Sequence, residues 1–546
     1  MKTTSNSPRP RENVVRLLLK KANILVDMLE SGGERNCTRS YWSNAIVGGG
    51  PPWPPLVGRM IFREIITRER GGHGGPPLQR FRQIAFRLTF LILVCFGDVS
   101  AKVDVQSRVT ISITKPGEVK VEAELLRPIN SWSFRNAYAG VLGIADRVED
   151  FRATDVVVRK VTSGEFRSDR EASRISYTVR LSQPTAADVS HVSWLVGDRG
   201  FLMFADLIPL EVTNLSAEFV VLTGWTIESS IPRDANGRYE VTEPESAVFF
   251  VGRSVTKTSS TVDGMPLEIV LSGAWPFKEP DALKPATRVM QQYLALTGFR
   301  LPGKSTIMIA PLPVAVGSIK WRAETRGSTV VLLIDPNASF PNWRGQLGVI
   351  FTHELLHLWV PNSLKLDGDY DWFFEGFTLY TALRTALDLK IINFKEFLNT
   401  LARVYDSYLS YADDLSLIEV SERRWTSPSS LVYDKGMLVA FLYDLMIRKE
   451  SGGKTTLADR YRDLFNRRVT DKADANEAII TVLGSTPAVR DFTKSYVENS
   501  TKVELERILP AYGLSLDSSG KSSQLRVSPD LNKEQKLVLR SLGLHN

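Results

Sequence analysis

Two of the chain's five histidines stand four residues apart, in His353-Glu354-Leu355-Leu356-His357. Around them Leu347, Ile350, Phe351, Leu355 and Leu358 recur at helical spacing, and Pro361 ends the run. Positions i and i+4 of a helix share one face, so both imidazoles can reach one zinc ion at about 2.0–2.1 Å. Glu354 projects from a neighbouring face, close enough to take a proton from a water that the metal activates. Two aligned histidines can also be plain core residues. The hydrolytic reading therefore needs a third protein ligand and an open coordination position.

A third ligand is offered downstream by Asp371-Trp372-Phe373-Phe374-Glu375-Gly376-Phe377-Thr378-Leu379-Tyr380. This run follows a polar turn, Asp367-Gly368-Asp369, and opens a second apolar helix. Glu375 sits in its first turns among aromatics that would bury it. A buried carboxylate needs a partner, and a zinc ion shared with His353 and His357 supplies one. The competing reading is an ordinary acid in the capping region of the helix.

With these pieces together, the chain resembles the gluzincin metallopeptidases, whose third zinc ligand is a glutamate on the helix after the histidine helix. Within them it most resembles the glycyl aminopeptidase family, through W-x-x-E-G-F-T-x-Y at Trp372 to Tyr380. The spacer between His357 and Glu375 is 17 residues, one fewer than is common in alanyl-type aminopeptidases. The family implies a β-domain, a thermolysin-like catalytic domain and a PDZ domain. Only about 30 residues follow Leu514, fewer than a domain usually needs, so the PDZ domain is expected to be missing.

Two further segments carry the resemblance. Leu431-Val432-Tyr433-Asp434-Lys435-Gly436 is similar to the Y-x-K-G that opens a later helix in these peptidases. The family implies that Tyr433 hydrogen-bonds the oxyanion of the tetrahedral intermediate, a role open to a phenol. Read without the family, Tyr433 is either a core tyrosine or a site residue. Trp321-Arg322-Ala323-Glu324-Thr325-Arg326 resembles a degenerate G-G-x-E-H segment on the sheet edge. There the family's glutamate grips the substrate's free α-amino group, a role that falls on Glu324. Trp321 and Arg322 replace the glycines, and Thr325 replaces the histidine. Read alone, Glu324 is either a plain surface acid or a site residue.

The implied function is that of a zinc metallopeptidase, an aminopeptidase more than an endopeptidase, acting on peptide or protein substrates. One Zn²⁺ would be held by His353, His357 and Glu375. Glu354 would be general base, Tyr433 the oxyanion donor and Glu324 the substrate-binding residue. The rivals are an endopeptidase with no amino anchor and a catalytically inactive envelope binding or scaffold protein.

The elements that must position these residues fall into a multidomain order. From 102 to 262 the pattern is mostly period two, as in Val109, Ile111, Ile113 and Val119, Val121, Ala123, and predicts an antiparallel β-domain, a sandwich or saddle. His191 within it reads as a lone structural histidine. Residues 263–400 carry strands at Leu267–Leu271, Ser305–Ala310 and Ser328–Ile334, with a helix over Asp281–Thr297, and form an α+β catalytic domain. Helices are predicted at 342–359, 371–388, 395–411, 430–450, 456–467, 472–483, 487–499 and 502–512, so 401–516 is its helical C-terminal part. Residues 517–546 read as a polar tail.

Charge sharpens the picture. The net charge of +7 divides into +8 over residues 1–101 and −1 over the rest. The near-neutral body gives no reason to expect nucleic acid as a partner. Residues 1–80 are rich in Pro, Gly and Arg and read as a leader without packed elements, the product of an over-extended start or a long cytoplasmic extension. Residues 81–101 combine a basic flank, the apolar run Leu88–Phe96 and Val99-Ser100-Ala101, the layout of a secretory signal. Export to the periplasm, envelope or medium is expected. The alternative is membrane association through residues 84–97 if the segment stays uncleaved. Cleavage at Ala101 would remove Cys37 and Cys95, the only cysteines. Two cysteines exclude a disulfide framework or a cysteine zinc site, and 24% charged residues exclude a polytopic membrane protein.

Overall fold

The computed structural model describes residues 106–545, except 186–187, 314–320, 337–339, 365, 412–414, 426–429, 468–472 and 521. The leader, the signal-like segment with its possible membrane association, and both cysteines lie outside the described residues.

The β-domain is a two-layer sandwich. Its seven-stranded sheet is built on two 16-residue strands, Glu118–Ser133 and Glu165–Arg180, paired antiparallel. The alternation in Val119, Val121, Ala123 and Leu125 turns one face inward, as period two requires. One pairing departs from an all-antiparallel sheet, because Gln106–Ser112 runs parallel to Asn214–Val220. The second layer has four strands, in the order Thr226–Ser229, Val248–Gly252, Arg199–Met203 and Trp194–Val196.

That small sheet is buried on both faces. Phe249 and Val251 pack into the β-domain core, whereas Val248 and Phe250 face the catalytic domain. Continuous apolar runs such as Val248-Phe249-Phe250-Val251 mark strands with no solvated side.

The catalytic sheet has five strands: β1 (Val255–Val262), β2 (Met265–Ser272), β3 (Ser305–Pro311), β4 (Trp321–Arg326) and β5 (Thr329–Ile334). Their order is β1-β2-β3-β5-β4, with the central pairs parallel and both edges antiparallel. The strand β1 was assigned from sequence to the β-domain. It pairs with β2 instead, so the catalytic unit begins before 263. Its pattern, Val255-Thr-Lys-Thr-Ser-Ser-Thr-Val262, marks an exposed edge strand but not the sheet it joins. In β5, Val330 and Leu332 face the helices while Val331 and Leu333 face the small sheet.

Helix α1 (Glu279–Thr297) covers one face of this sheet. Helix α2 (Phe340–Glu354) carries the histidine motif, α3 (Thr378–Asp388) follows the second motif, and α4 (Leu431–Glu450) runs through the centre of the helical part. Two expected helices differ in detail. The α-helix over 342–359 stops at Glu354 and tightens into a 3₁₀ turn at Leu356–Leu358. The helix opening at 371 begins with a π-helical stretch, Trp372–Phe377, a form that often marks functional sites.

The expected polar tail is structured. Leu514–Asp517 and Gln524–Val527 form a hairpin, and a helix spans Lys533–Ser541. Leu525, Val538, Leu539 and Leu542 are buried in the catalytic core. Arg448 and Arg384 tie down the helix end by donating to the Ser541 and Leu542 carbonyls. Four apolar side chains suffice to dock the segment although its composition is polar. Among the described residues no helix is long and apolar enough to cross a membrane.

Candidate functional site

His353 and Glu354 are the last turn of α2, and His357 lies in the 3₁₀ turn that follows. The two Nε2 atoms face each other at 3.1 Å. His357 Nδ1 donates to the Val360 carbonyl at 3.0 Å. That carbonyl can only accept, so the proton sits on Nδ1 and the Nε2 lone pair is left for a metal.

Glu375 comes from the π-helical stretch and completes the cluster. Its Oε2 lies 3.7 Å from His353 Nε2 and 3.6 Å from His357 Nε2. Ligands about 2.0–2.1 Å from one tetrahedral ion stand roughly 3.4 Å apart, which matches this spacing. Burial lowers the pKa of both imidazoles, with His357 adding to the effect on His353 and Arg424 to that on His357, which falls to about 4. Both rings are therefore neutral at pH 7, and their approaches to Glu375 are not ion pairs. Burial raises Glu375 to about 7, although Arg424 beside it pulls the other way.

Whether a metal fits is decided by unpartnered atoms. Glu375 Oε2 is buried and makes no hydrogen bond, an expensive arrangement for a carboxylate oxygen unless a cation lies against it. Two neutral imidazole nitrogens and one carboxylate oxygen are a donor set suited to zinc. Among the described residues this is the one trio of its kind.

Glu354 is fully buried beside this cluster. Burial pushes its carboxyl well above the usual range, and Glu375 and Glu324 add to the rise, while a hydrogen bond from Thr325 opposes it. Thr325 Oγ1 donates to Glu354 Oε2 at 2.8 Å. Among the described residues Glu354 Oε1 has no hydrogen-bond partner.

Tyr433 reaches the site because two glycines allow it. A Cβ on Gly376 would lie 2.5 Å from Gly436 Cα, and one on Gly436 would lie 2.9 Å from both Gly376 Cα and the Trp372 carbonyl oxygen. The backbones of α4 and the π-helical stretch are in direct contact. Tyr433, three residues before Gly436, is thereby brought to Glu375, to which it hydrogen-bonds.

The structure corrects the reading of Glu324. It is neither a surface acid nor an open carboxylate at the sheet edge. It is fully buried on β4, with Oε1 accepting from Tyr138 Oη at 2.9 Å and Arg326 Nε at 3.0 Å. Its Oε2 lies 2.6 Å from His191 Nδ1. His191 is structural, but it is not alone. A free amine reaching Glu324 would have to displace one of these groups.

Sequence reading missed Arg424 and the role of Thr325. Arg424 follows the short helix Leu417–Glu422 and donates to Asp371, Glu375 and Tyr433. No local pattern marks it. Thr325 was visible only as a departure from the family segment.

No family model matches the chain, and no curated protein matches it. Solved structures do. The aminopeptidase N family protein from Idiomarina loihiensis aligns with a TM-score of 0.63 at 17% identity, covering 79% of this chain and 82% of that one. An M1 zinc metallopeptidase variant from Deinococcus radiodurans, bound to a Tyr-Ser-Ala substrate, aligns with a TM-score of 0.51 at 13% identity, covering 74% of this chain and 95% of that one. At such identities the likeness is one of fold. The chain shares the fold of these structures, a β-domain leading into an α+β domain with a helical C-terminal region.

Proposed function

We propose that this chain is a zinc-dependent metallopeptidase, and more finely an aminopeptidase. The observation that carries the reading is the convergence of His353 Nε2, His357 Nε2 and the unpartnered Glu375 Oε2 beside the unpartnered Glu354 Oε1. When bound by His353, His357 and Glu375, one zinc ion would supply Lewis-acid polarisation of the scissile carbonyl and lower the pKa of the attacking water.

The remaining work belongs to the chain. Glu354 Oε1 accepts the proton of the attacking water and passes it to the leaving amine. Burial raises its pKa, which makes it a stronger base than an exposed carboxylate. Tyr433 Oη donates to the carbonyl oxygen as negative charge develops there. The buried surroundings of Glu354 keep bulk water from competing for its charge.

The aminopeptidase reading draws on the resemblance in the motifs and on the fold shared with an aminopeptidase N family protein. A short peptide, like the tripeptide bound by the Deinococcus protein, is the substrate class it suggests. One observation favours the endopeptidase reading: Arg326 already compensates the Glu324 carboxylate. Digestion of matched free and N-acetylated peptides, with and without chelator, tests both. Chelator-sensitive cleavage of free peptides alone supports the aminopeptidase. Equal cleavage of both forms supports the endopeptidase, and no chelator-sensitive cleavage overturns the peptidase reading.

Export is a second part of the proposal, resting on the order of basic, apolar and small residues over 81–101. N-terminal sequencing of the protein recovered outside the cytoplasm should begin just after Ala101. Recovery beginning at Met1 would overturn it.

A further inference from the structure

Arg424 is an arginine with only 2% of its side chain exposed, and it has three oxygen partners from three places in the helical part. One guanidinium nitrogen, Nη1, donates to Asp371 Oδ1 at the head of the π-helical stretch. The other, Nη2, donates to Glu375 Oε1 at 3.1 Å and to Tyr433 Oη at 2.6 Å. Its guanidinium carbon lies over the rings of Trp425, Tyr433 and Phe374, at 4.8, 5.5 and 5.8 Å from their centroids. A guanidinium has a rigid planar donor fork, so three oxygens and three rings fix its orientation.

Two consequences follow from where these bonds end. Glu375 has one oxygen taken by Arg424 and one, Oε2, turned toward the two histidine nitrogens. The carboxylate can therefore offer a metal only a single oxygen without breaking a buried ion pair. Tyr433 accepts a hydrogen bond from Arg424 at its phenol oxygen, so its own proton is directed away from Arg424 and, in this structure, toward Glu375. A phenol that accepts from a cation is polarised and becomes the stronger donor.

We infer that Arg424 is a positioning residue, which holds Glu375 to one-oxygen ligation and holds Tyr433 Oη at the place where it meets the substrate's carbonyl oxygen. The inference rests on the zinc-peptidase reading above for its catalytic half. Its metal half concerns retention by the chain's own ligands and needs no turnover. A lysine at 424 keeps the charge but loses the fork, and could not serve Asp371, Glu375 and Tyr433 in the same plane.

The test uses the full chain, with Arg424→Lys and Arg424→Gln as paired variants and circular dichroism to confirm folding. Zinc release to a chelator should be about 10–100-fold faster in either variant, the range seen when a partner behind a ligand is removed. The visible spectrum of the cobalt-substituted protein should change, since Glu375 is free to offer its second oxygen. In turnover, kcat should fall about 10–100-fold with KM within about twofold. The fall should shrink when the same substitution is made on a Tyr433→Phe background, because the effect passes through the phenol.

Unchanged zinc release and an unchanged cobalt spectrum in a folded variant would overturn the proposal. So would an equal loss of kcat in both backgrounds. If native protein shows no peptidase activity, the reading of function fails alone, and the metal release and cobalt spectra still decide the role of Arg424. If one variant does not fold, the other carries the same readouts.

Discussion

Thr325 on the catalytic sheet's edge strand donates a 2.8 Å hydrogen bond to Oε2 of Glu354, at the end of the histidine helix. The contact spans 29 residues of sequence and leaves Oε1 as the carboxylate's free oxygen. One oxygen is thus fixed to the sheet while the other is left without a hydrogen-bond partner among the described residues. Substituting Glu354→Gln removes the base but keeps shape and burial. Peptide hydrolysis should fall by at least about 10²–10⁴-fold while zinc stoichiometry is preserved. Full activity in that variant would refute the general-base role.

Thr325→Val tests the same bond from the other side. The Thr325 hydrogen bond favours ionised Glu354, so its loss must raise the carboxyl pKa further. Glu354 must be ionised to act, so the acid limb of kcat/KM against pH should move upward. Thr325→Ser should restore it. An unmoved limb in the valine variant would show that the hydroxyl does not tune the base.

Glu375→Ala removes the one proposed ligand that comes from outside the histidine motif. Zinc content after dialysis should drop well below one ion per chain, and added zinc should no longer raise the melting temperature. Ligand binding to the folded state stabilises by about 2.7 kcal/mol at a hundredfold excess over Kd, so native protein should show a clear shift. Metal analysis together with a melting curve checks this. Equal occupancy in the variant would remove Glu375 from the ligand set.

The features that were legible in the sequence are local ones. His353, Glu354 and His357 are fixed by a five-residue spacing on one helix, and Glu375 by a motif a short loop away. Strands with a clear alternation or an unbroken apolar run, such as Glu118–Ser133 and Thr329–Ile334, were legible, whereas short ones such as Trp194–Val196 and Thr226–Ser229 were not. What was hidden depends on pairs far apart in the chain. Glu324 and His191 are separated by 133 residues, and their bond made a site candidate into part of a buried ion cluster. Arg424 lies 49 residues from Glu375, in a turn with no periodicity to read. The C-terminal hairpin and helix were missed because few of their side chains are apolar, and those few matter only through the surface that receives them.

Gly376 and Gly436 yield a packing prediction. At Gly436 an added Cβ would meet two backbone atoms at 2.9 Å, closer than real Cβ contacts come, and backbone cannot rotate aside. Overpacking typically costs about 1–3 kcal/mol, while alanine's better helix propensity returns about 1 kcal/mol. Gly436→Ala should therefore lose roughly 1 kcal/mol of stability in urea unfolding. Because the strain falls one turn from Tyr433, kcat should fall more than stability alone explains. Unchanged stability would mean that the two helical segments separate freely.

The cluster around Glu324 gives acid stability a defined sign. Burial alone would raise this carboxyl, but His191 and Arg326 against it outweigh that and hold it at about 2, below the unfolded value of 4.5. A carboxyl with a depressed folded pKa stabilises the protein above its unfolded pKa, and that contribution is lost as pH falls toward the folded one. The contribution, on the order of 3 kcal/mol, should be fully present above pH 5. It should drain away between about pH 4.5 and 2. Glu324→Gln should unfold more readily at pH 7 yet lose less further stability on acidification, because the variant has no proton to take up at this position. The difference between the two stability curves should therefore be flat above pH 5 and close steadily below it. A difference that stays constant down to pH 2.5 would show that the folded carboxyl takes up its proton no later than the unfolded one, so that His191 and Arg326 do not outweigh its burial.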